Sequence, residues 1–204
     1  MILIADSGGS KTDWALIGLP TDTSTYVLKV RTQGLNPFHQ SKDIILKVLE
    51  QELKPALYKA AEEGNILLKK TDIVQHVSQI AFYGSGCTKS LSSVVSEALA
   101  ASFPSASIKV DSDLLGASHA VCGHESGIAC ILGTGANSCL YDGENIVANV
   151  PPLGYILGDE GSGAVLGKLL LNGIFKGDLS TEICNLYLEW SGLTYPEIID
   201  KVYR

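Results

Sequence analysis

Several features that would assign this 204-residue chain to a common class of protein are missing from its sequence. No apolar run reaches the roughly 18 residues that a membrane span needs. The N-terminus begins "MILIAD", without the basic segment and cleavage site of a secretory signal, which predicts a cytoplasmic protein. Only 15 Lys and Arg oppose 22 Asp and Glu. Because no basic cluster occurs, we expect neither nucleic acid nor a membrane as a partner.

Cysteine pairs with a recognisable spacing are also missing. The odd number of cysteines and the absence of C-x-x-C argue against a disulfide framework or a zinc ribbon. Cys130 and Cys139 bracket a glycine loop, where they could face each other across a hairpin. We expect reduced, buried thiols throughout. The five are Cys87, Cys122, Cys130, Cys139 and Cys184.

Two familiar phosphate-binding motifs are absent as well. Gly167 and Lys168 are followed by Leu169, so the pattern G-x-x-x-x-G-K-[ST] does not occur. No G-x-G-x-x-G stands between a predicted strand and a predicted helix, which disfavours a dinucleotide site. A phosphate-binding hairpin is the remaining option.

The first part of the chain predicts an α/β domain over residues 1–113. The strands "ILIAD", "TDWALIGL" and "TYVLKVRT" are separated by a glycine turn and by the turn "PTDTS". Apolar residues at helical spacing predict helices over residues 43–63, bent at Pro55, and over residues 90–103. The strands "VSQIAFYGSG" and "ASIKVDSD" alternate with these helices, which predicts a mainly parallel sheet.

The remaining residues, 114–204, repeat the pattern of the N-terminus. In "SGIACILGTGANSCLYDGENIVANV", three apolar strands are separated by a glycine turn and an Asp-Gly turn, which predicts a second, related lobe facing a shared cleft. The segment "LGDEGSGAVLGKLLLNGIF" is a loop that leads into a helix, and two more helices follow. Because nothing after Val150 predicts a strand, we expect the second lobe to be incomplete.

The turn "ADSGGSKT" has the chemistry of a phosphate site. Glycines let successive backbone N–H groups converge on one anion. A carboxylate at the strand end, Asp6, suits Mg²⁺, directly or through water. The alternative is a tight hairpin that Asp6 caps, but the matching "LGTGANS" favours phosphate binding. The turn supplies glycines, hydroxyl donors and one cation, namely Gly8, Gly9, Ser10, Lys11 and Thr12.

The segments "ADSGGSKTDWAL", "GTGANS" and "LGDEGSG" resemble those of the sugar kinase/actin/Hsp70 superfamily. Within it, the chain is similar to the N-acetylglucosamine kinase and BadF/BadG/BcrA/BcrD ATPase family. The resemblance implies a two-lobed ribonuclease H-like (actin-like ATPase) fold. It also implies an ATP-dependent, Mg²⁺-requiring kinase that phosphorylates a hydroxyl of an amino sugar or hexose, with a homodimer as the candidate assembly. The family's adenosine-binding segment would lie beyond Arg204.

The resemblance also implies roles for individual residues. Ser10 matches the hydroxyl that contacts the β- and γ-phosphates, and Asp113 in "SDLLGAS" matches the catalytic aspartate, which also contacts the sugar. The second nucleotide loop matches Gly133, Thr134 and Gly135. The other sugar contacts match Asn36 of "GLNPF", Ala136, Asn137 and Asp159.

The residues themselves support Asp113 independently. A carboxylate at the carboxyl end of a parallel strand lies where ligands bind in α/β sheets, and it could accept a proton from an attacking hydroxyl. Asp111, two residues earlier, is a competitor that only geometry can separate. Asp113 is also a candidate N-cap for a helix that begins at Leu114.

Two segments leave the function open. The family carries G-G-W-G before "GDEGS", where this chain has "PPLG" with Pro152 and Leu153, so the acceptor could be N-acetylglucosamine, glucosamine or another amino sugar. The loop at residues 84–86 is either a neighbour of the sugar or a simple turn.

No cysteine spacing suits the iron–sulfur cluster of the BadF-type activators. The alternative functions are a non-catalytic sugar or nucleotide sensor, and an ATPase that drives a partner protein.

Overall fold

The computed structural model describes residues 1–18, 26–64 and 70–203, and the predicted turn "PTDTS" lies outside these ranges. The mixture of strands and helices confirms the predicted α/β class. The strands in the described residues are β1 Ile2–Ser7, β2 Lys11–Gly18, β3 Tyr26–Gln33, β4 Gln79–Gly84, β5 Ser107–Ser112, β6 Gly127–Leu132, β7 Ala136–Tyr141 and β8 Ile146–Val150.

The first sheet has the strand order β3-β2-β1-β4-β5. Strand β2 runs antiparallel to both β1 and β3, whereas β4 runs parallel to both β1 and β5. The prediction of a mainly parallel sheet is therefore wrong, because parallel and antiparallel pairings are equally represented. The first strands are joined in sequence as hairpins, and only the later helical crossovers produce parallel neighbours.

The helices follow the predicted apolar periodicity, with one irregular turn. The predicted helix over residues 43–63 is continuous but contains a π-helical segment, Leu49–Leu53. Pro55 follows this segment; its ring cannot donate a hydrogen bond and crowds the carbonyl four residues earlier, and a wider turn accommodates it. The α-helices are α1 Lys42–Val48, α2 Lys54–Glu63, α3 Lys70–His76, α4 Ser92–Ser102, α5 Asp113–Cys122, α6 Gly154–Leu157, α7 Gly163–Lys176, α8 Thr181–Ser191 and α9 Tyr195–Tyr203.

One face of the first sheet forms the main core with helices α1, α2 and α4. Side chains alternate along each strand, so Leu3 and Phe82 are buried on this face. Trp14 joins them, and its Nε1 donates to Thr32 Oγ1 at 3.0 Å. Most of the apolar residues whose helical spacing predicts these helices are buried here, whereas Ala60, Leu91 and Val94 are half-buried. The buried ones are Ile45, Val48, Leu49, Leu53, Leu57, Val95, Ala98 and Leu99.

The opposite face of the first sheet carries helix α5. A Cβ atom on Gly116 would lie 2.6 Å from the ring of Tyr83, so this helix approaches β4 closely. The hydroxyl of Tyr83 lies 3.0 Å from Nδ1 of His119. These contacts fix the helix whose first residue is Asp113.

The second sheet has the order β6-β7-β8 and begins, like the first sheet, with three consecutive strands. Within the described residues, only helices follow β8, which agrees with the prediction for the region after Val150. None of the helices in the described ranges has the length and apolar character that a bilayer crossing needs.

The chain divides into two compact units. The first comprises Met1–Ile131 and Ser138–Val150, and the second comprises Leu132–Asn137 and Pro151–Arg204. Helix α5 therefore belongs to the first unit. The predicted lobe boundary at residue 113 remains a prediction.

The cysteines are all free thiols. Cys87 and Cys139 are buried, Cys122 and Cys184 are half-buried, and Cys130 is exposed. The prediction of buried thiols is therefore confirmed for Cys87 and Cys139 and wrong for Cys130. Cys139 Sγ lies 3.3 Å from Ser118 Oγ on the buried side of its strand. Cys130 and Cys139 therefore do not share one environment across the hairpin.

Candidate active site

The glycine-rich turn forms a hairpin between β1 and β2, which we call the first glycine hairpin (residues 7–12). The N–H of Gly8 donates to the carbonyl oxygen of Lys11 at 2.9 Å and closes the turn. Thr12 Oγ1 lies 2.7 Å from Ser7 Oγ and 3.1 Å from the carbonyl oxygen of Gln33. Because Thr12 is fully buried, its hydroxyl holds the hairpin to β3, which disfavours the predicted contact with phosphate.

Gly34 packs against the backbone of this hairpin and is not among the site residues predicted from the sequence. Its N–H donates to the carbonyl oxygen of Ser10 at 3.2 Å. A Cβ atom at Gly34 would lie 2.6 Å from the carbonyl oxygen of Gly8 and 2.7 Å from that of Gly9. Only glycine permits this approach of two backbones. The signal in the sequence was a glycine two residues before Asn36.

The outer side of the hairpin is open to solvent at Gly9, Ser10 and Lys11. The cation of Lys11 pairs with Asp13, with 2.8 Å between Nζ and Oδ2. Arg31 Nε donates to the other oxygen of Asp13 at 2.6 Å. Hydrogen bonds from Lys11 and then Arg31 lower the pKa of Asp13. The serine hydroxyl and the glycine backbone are thus the exposed donors of the turn.

Asn36 lies against the loop at residues 84–86, which we call the serine–glycine loop. Asn36 Oδ1 accepts a hydrogen bond from the N–H of Phe38 at 2.9 Å, which orients the amide and leaves its Nδ2 hydrogens to donate. A Cβ atom at Gly86 would collide with Asn36 Oδ1, and Gly86 has a φ of +78°. The N–H of Ser85 donates to the carbonyl oxygen of Ser7 at 2.8 Å. The serine–glycine loop therefore contacts both Asn36 and the start of the hairpin.

Asp113 is the first residue of α5. Its Oδ1 accepts from the N–H of Leu114 at 2.9 Å. Ser112 is the N-cap, because its hydroxyl accepts from the N–H of Leu115, so the alternative reading of Asp113 as the N-cap is wrong. Burial raises the pKa of Asp113 above its ordinary value of 3.8; the Leu114 hydrogen bond opposes this rise and the charge of Asp6 adds to it. Two carboxylates thus interact at this end of the sheet.

Asp111 has a different environment from Asp113. Its Oδ2 lies 3.2 Å from Nζ of Lys109; this buried oxygen accepts no hydrogen bond, but a cation lies beside it. The charges of both acids act on the buried thiol of Cys87. Burial is the largest cause, the charges of Asp113 and Asp111 add to it, and together they raise the pKa of Cys87 to about 12. Of the two acids, Asp113 is the one without a cationic partner among the described ion pairs.

Asp6 is the candidate ligand for a metal ion. Its side chain is on the exposed face of β1, and its charge acts on Asp113. The described residues contain no group of three or more His, Cys, Asp or Glu that could hold a metal by themselves. Mg²⁺ commonly takes one or two carboxylates and completes its shell with phosphate oxygens and water. The donor set at Asp6 fits that mode of binding.

The second glycine-rich segment, which we call the second glycine loop (residues 133–137), lies in the second unit with Asp159. The N–H of Gly163, the first residue of α7, donates to the carbonyl oxygen of Gly133 at 2.8 Å. Asp159 Oδ1 accepts from the N–H of Ala136 at 3.0 Å. Asp159 adopts the left-handed backbone conformation, with a φ of 60°. The structure thus brings together "GTGAN" and "GDEGS", and one oxygen of Asp159 holds the loop.

The predicted site residues divide between the two units. Within the second unit, Thr134 is exposed, and Gly135 and Asn137 are half-buried. A Cβ atom on Gly135 would lie 3.0 Å from Asp159 Oδ1. The first unit holds the remaining predicted residues, namely Asp6, Gly8, Gly9, Ser10, Lys11, Thr12, Asn36 and Asp113.

Comparison with known proteins identifies the family. No protein-family model and no curated protein matches the chain. A solved structure from Porphyromonas gingivalis, provisionally identified as an N-acetylglucosamine kinase, is 44% identical over 100% of this chain, with a TM-score of 0.84. A second provisional N-acetylglucosamine kinase, from Chromobacterium violaceum, is 18% identical over 98% of this chain, with a TM-score of 0.62, and shows the fold alone. This chain spans 66% of the length of each. The chain belongs to the N-acetylglucosamine kinase-like family and has the actin-like ATPase fold of the sugar kinase/actin/Hsp70 superfamily.

Proposed function

We propose that the protein carrying this chain is an ATP-dependent kinase that phosphorylates a hydroxyl of an amino sugar or hexose. The observation that carries the proposal is the 44% identity, over the whole chain, to a provisionally identified N-acetylglucosamine kinase. Because the chain spans 66% of that protein, the activity is proposed for the intact protein in which the sequence occurs. N-acetylglucosamine and glucosamine are the first acceptors to test, since "PPLG" replaces the family's tryptophan-containing segment.

In this proposal Asp113 is the general base. Its carboxylate accepts the proton of the sugar hydroxyl as that oxygen attacks the γ-phosphorus of ATP. Burial raises the pKa of Asp113, and a base is more effective when its pKa is closer to the working pH. Asp111 is less suited because Lys109 already compensates its charge.

Asn36 would donate to an oxygen of the acceptor sugar. The Phe38 N–H occupies one of the two lone pairs of its Oδ1, and its Nδ2 hydrogens favour a ligand that offers a hydrogen-bond acceptor. Hydroxyl and carbonyl oxygens of a sugar meet that requirement. The nearby serine–glycine loop, and Ala136, Asn137 and Asp159 of the second unit, are proposed as further sugar contacts.

The two glycine segments would hold the phosphates of ATP. The backbone N–H of Gly9 and the Ser10 hydroxyl supply neutral donors at the exposed tip of the first glycine hairpin. Gly8 contributes the turn itself, because its N–H already donates to the carbonyl oxygen of Lys11. Residues 133–135 of the second unit are proposed as a further nucleotide-binding segment. Asp6 would hold Mg²⁺, which supplies neutralisation of phosphate charge when it is bound. Lys11 would contribute only after it leaves its ion pair with Asp13.

A coupled assay of ADP formation by the intact protein, run against a panel of hexoses and amino sugars, tests the proposal. We expect sugar-dependent turnover that Asp113→Asn abolishes, while Asp178→Asn, at an exposed acid in the second unit, retains it. Sugar-independent ATP hydrolysis would contradict the kinase and favour an ATPase that drives a partner. Sugar binding by calorimetry without any product would favour a sensor.

We also propose a cytoplasmic location, because the five cysteines are free thiols and a reducing compartment keeps them so. A homodimer is the assembly to test first, by sedimentation of the intact protein.

A further inference from the structure

The segment between β3 and α1, residues 34–41, touches two parts of the candidate site in the first unit. Near its start, Gly34 lies against the carbonyl oxygens of Gly8 and Gly9 and donates to that of Ser10. Two residues later, Asn36 meets the serine–glycine loop at Gly86. The proposed phosphate-binding and sugar-binding parts are therefore separated here by a single residue, Leu35.

The side chain of Gln40 closes this segment into a loop. Its Oε1 accepts from the N–H of Asn36 at 2.9 Å. Its Nε2 donates to the carbonyl oxygen of Gly34 at 3.1 Å. Both ends of the amide are therefore committed, and each is bound to the backbone of a residue that touches the candidate site. No other side chain of the described residues hydrogen-bonds to both Gly34 and Asn36.

The remaining contacts of the segment show why this side chain matters. The carbonyl oxygen of Asn36 accepts from the N–H groups of His39 and Gln40, at 3.1 Å and 3.0 Å. These bonds form the turn before α1 but do not reach Gly34. Leu35 is held to the first glycine hairpin separately, because its N–H donates to Ser7 Oγ at 3.0 Å and its carbonyl oxygen accepts from that hydroxyl at 2.9 Å. The Gln40 amide adds a direct link between the backbones of Asn36 and Gly34.

We propose that Gln40 is a positioning residue that couples the acceptor-binding Asn36 to the phosphate-binding hairpin. The inference rests on the proposed kinase function. Since rates fall steeply when reacting groups are misplaced by about 1 Å, loss of the bridge disturbs both binding and chemistry. Gln40 is only half-buried and lies outside the main core, so the global fold does not depend on it.

The two hydrogen bonds can be separated by substitution. Gln40→Ala removes both, and we expect the KM for sugar to rise about tenfold and kcat to fall about tenfold, each well within the losses that misplacement produces. Gln40→Glu keeps an acceptor for Asn36 but sets a carboxylate oxygen against the Gly34 carbonyl. For this variant we expect a sugar KM near that of the wild type with a lowered kcat.

The experiment combines steady-state kinetics of the intact protein with amide hydrogen exchange. Gln75→Ala, at an exposed glutamine of α3, is the matched control and should behave as the wild type. We expect faster exchange of the Asn36 amide in Gln40→Ala but not in Gln40→Glu. Both variants should stay folded, with a fall in melting temperature of only a few degrees. Wild-type exchange at Asn36 in Gln40→Ala, or equal changes of KM and kcat in both variants, would overturn the inference. An inactive wild-type protein would contradict the proposed function alone, because the exchange measurement still shows whether Gln40 holds Asn36.

Discussion

The first glycine hairpin and the second glycine loop follow apolar strands and carry similar residues, yet different contacts hold them in place. In the first unit, the buried hydroxyls of Ser7 and Thr12 lie 2.7 Å apart, and Gly34 supports the turn by close backbone contact. In the second unit, the carboxylate of Asp159 binds the N–H of Ala136, and the N-terminus of α7 donates to the loop carbonyls.

The difference shows that a repeated sequence pattern specifies a turn but does not specify the contacts that hold that turn in place. The first hairpin depends on neutral groups, so the nearby carboxylates of Asp6 and Asp113 need not hold its backbone. The second loop uses its carboxylate as a structural acceptor. Removing an acid should therefore affect chemistry in the first unit and loop stability in the second.

The largest effect is expected from Asp113→Asn in the intact protein. General-base catalysis contributes about 10²- to 10⁴-fold, so we expect kcat/KM to fall by that factor. The melting temperature should not fall, because the substitution removes a partly buried negative charge that is repelled by the carboxylate of Asp6. Asp178→Asn is the control. If Asp113→Asn loses enough stability to explain its lost activity, the expectation that this acid affects chemistry rather than stability is wrong.

The pH dependence of stability gives a second measurement on the same variant. The pKa of Asp113 in the folded protein is raised above 3.8, so the folded state holds this proton more tightly than the unfolded state does. This contribution to the free energy of unfolding is fully present below pH 3.8. It is lost as the pH rises through the raised pKa. Urea unfolding should therefore show a larger advantage of Asp113→Asn over the wild type at pH 7 than at pH 3. A constant difference would indicate that Asp113 is not perturbed in the folded protein.

The next largest effect is expected from Gly34→Ala. The new Cβ would lie 2.6 Å from the carbonyl oxygen of Gly8, and overpacking of this kind costs about 2–3 kcal/mol of unfolding free energy. Gly9→Ala is the matched control, since a Cβ there has no atom within 4 Å. Chemical denaturation compares the two. Equal stabilities would show that the hairpin is not supported by close backbone contact.

A smaller loss of stability is expected from Asp159→Ala. The substitution leaves the N–H of Ala136 without its acceptor, which costs about 1–2 kcal/mol. Asp159→Asn keeps an acceptor oxygen and tolerates the left-handed backbone, so it should remain close to the wild type in denaturant. If Asp159→Asn is as unstable as Asp159→Ala, the charge rather than the hydrogen bond holds the second glycine loop.

The smallest perturbation is alkylation of the native thiols. Cys130, on the strand that leads to the second glycine loop, is exposed and should be modified by iodoacetamide at pH 8. Cys87, beside Asp113, is buried and has its pKa raised to about 12, so it should react only after unfolding. Peptide mass spectrometry measures both. Rapid native modification of Cys87 would indicate that the site around Asp113 opens readily.

Local patterns in the sequence were sufficient for the strands and most helices. The spacing of Ile45, Leu49 and Leu53 reflects burial on one side of a helix, and the structure confirms it. The pattern did not predict the π-helical segment, because the widened turn arises from the later Pro55 together with packing. It also did not predict the balance of parallel and antiparallel pairs, which depends on how each connection crosses the sheet.

The candidate site divides in the same way. The residue types at Ser10, Asn36 and Asp113 indicated the chemistry, whereas the supports of the site were not visible. Gly34 and Gln40 have no distinctive spacing, and their importance comes from atoms of the first glycine hairpin and of Asn36 that they touch in the folded chain.

The sequence by itself determined the class of fold and the two glycine-rich turns, because backbone conformation and apolar periodicity act over a few residues. The family was indicated by the resemblance of three motifs to those of known kinases. Only the tertiary structure decided that Thr12 is an internal support, that Asp111 is paired with Lys109, and that Asp159 binds the Ala136 N–H. These outcomes depend on contacts between distant segments, on burial and on the charges that folding brings together. None of those quantities is fixed by neighbours along the chain.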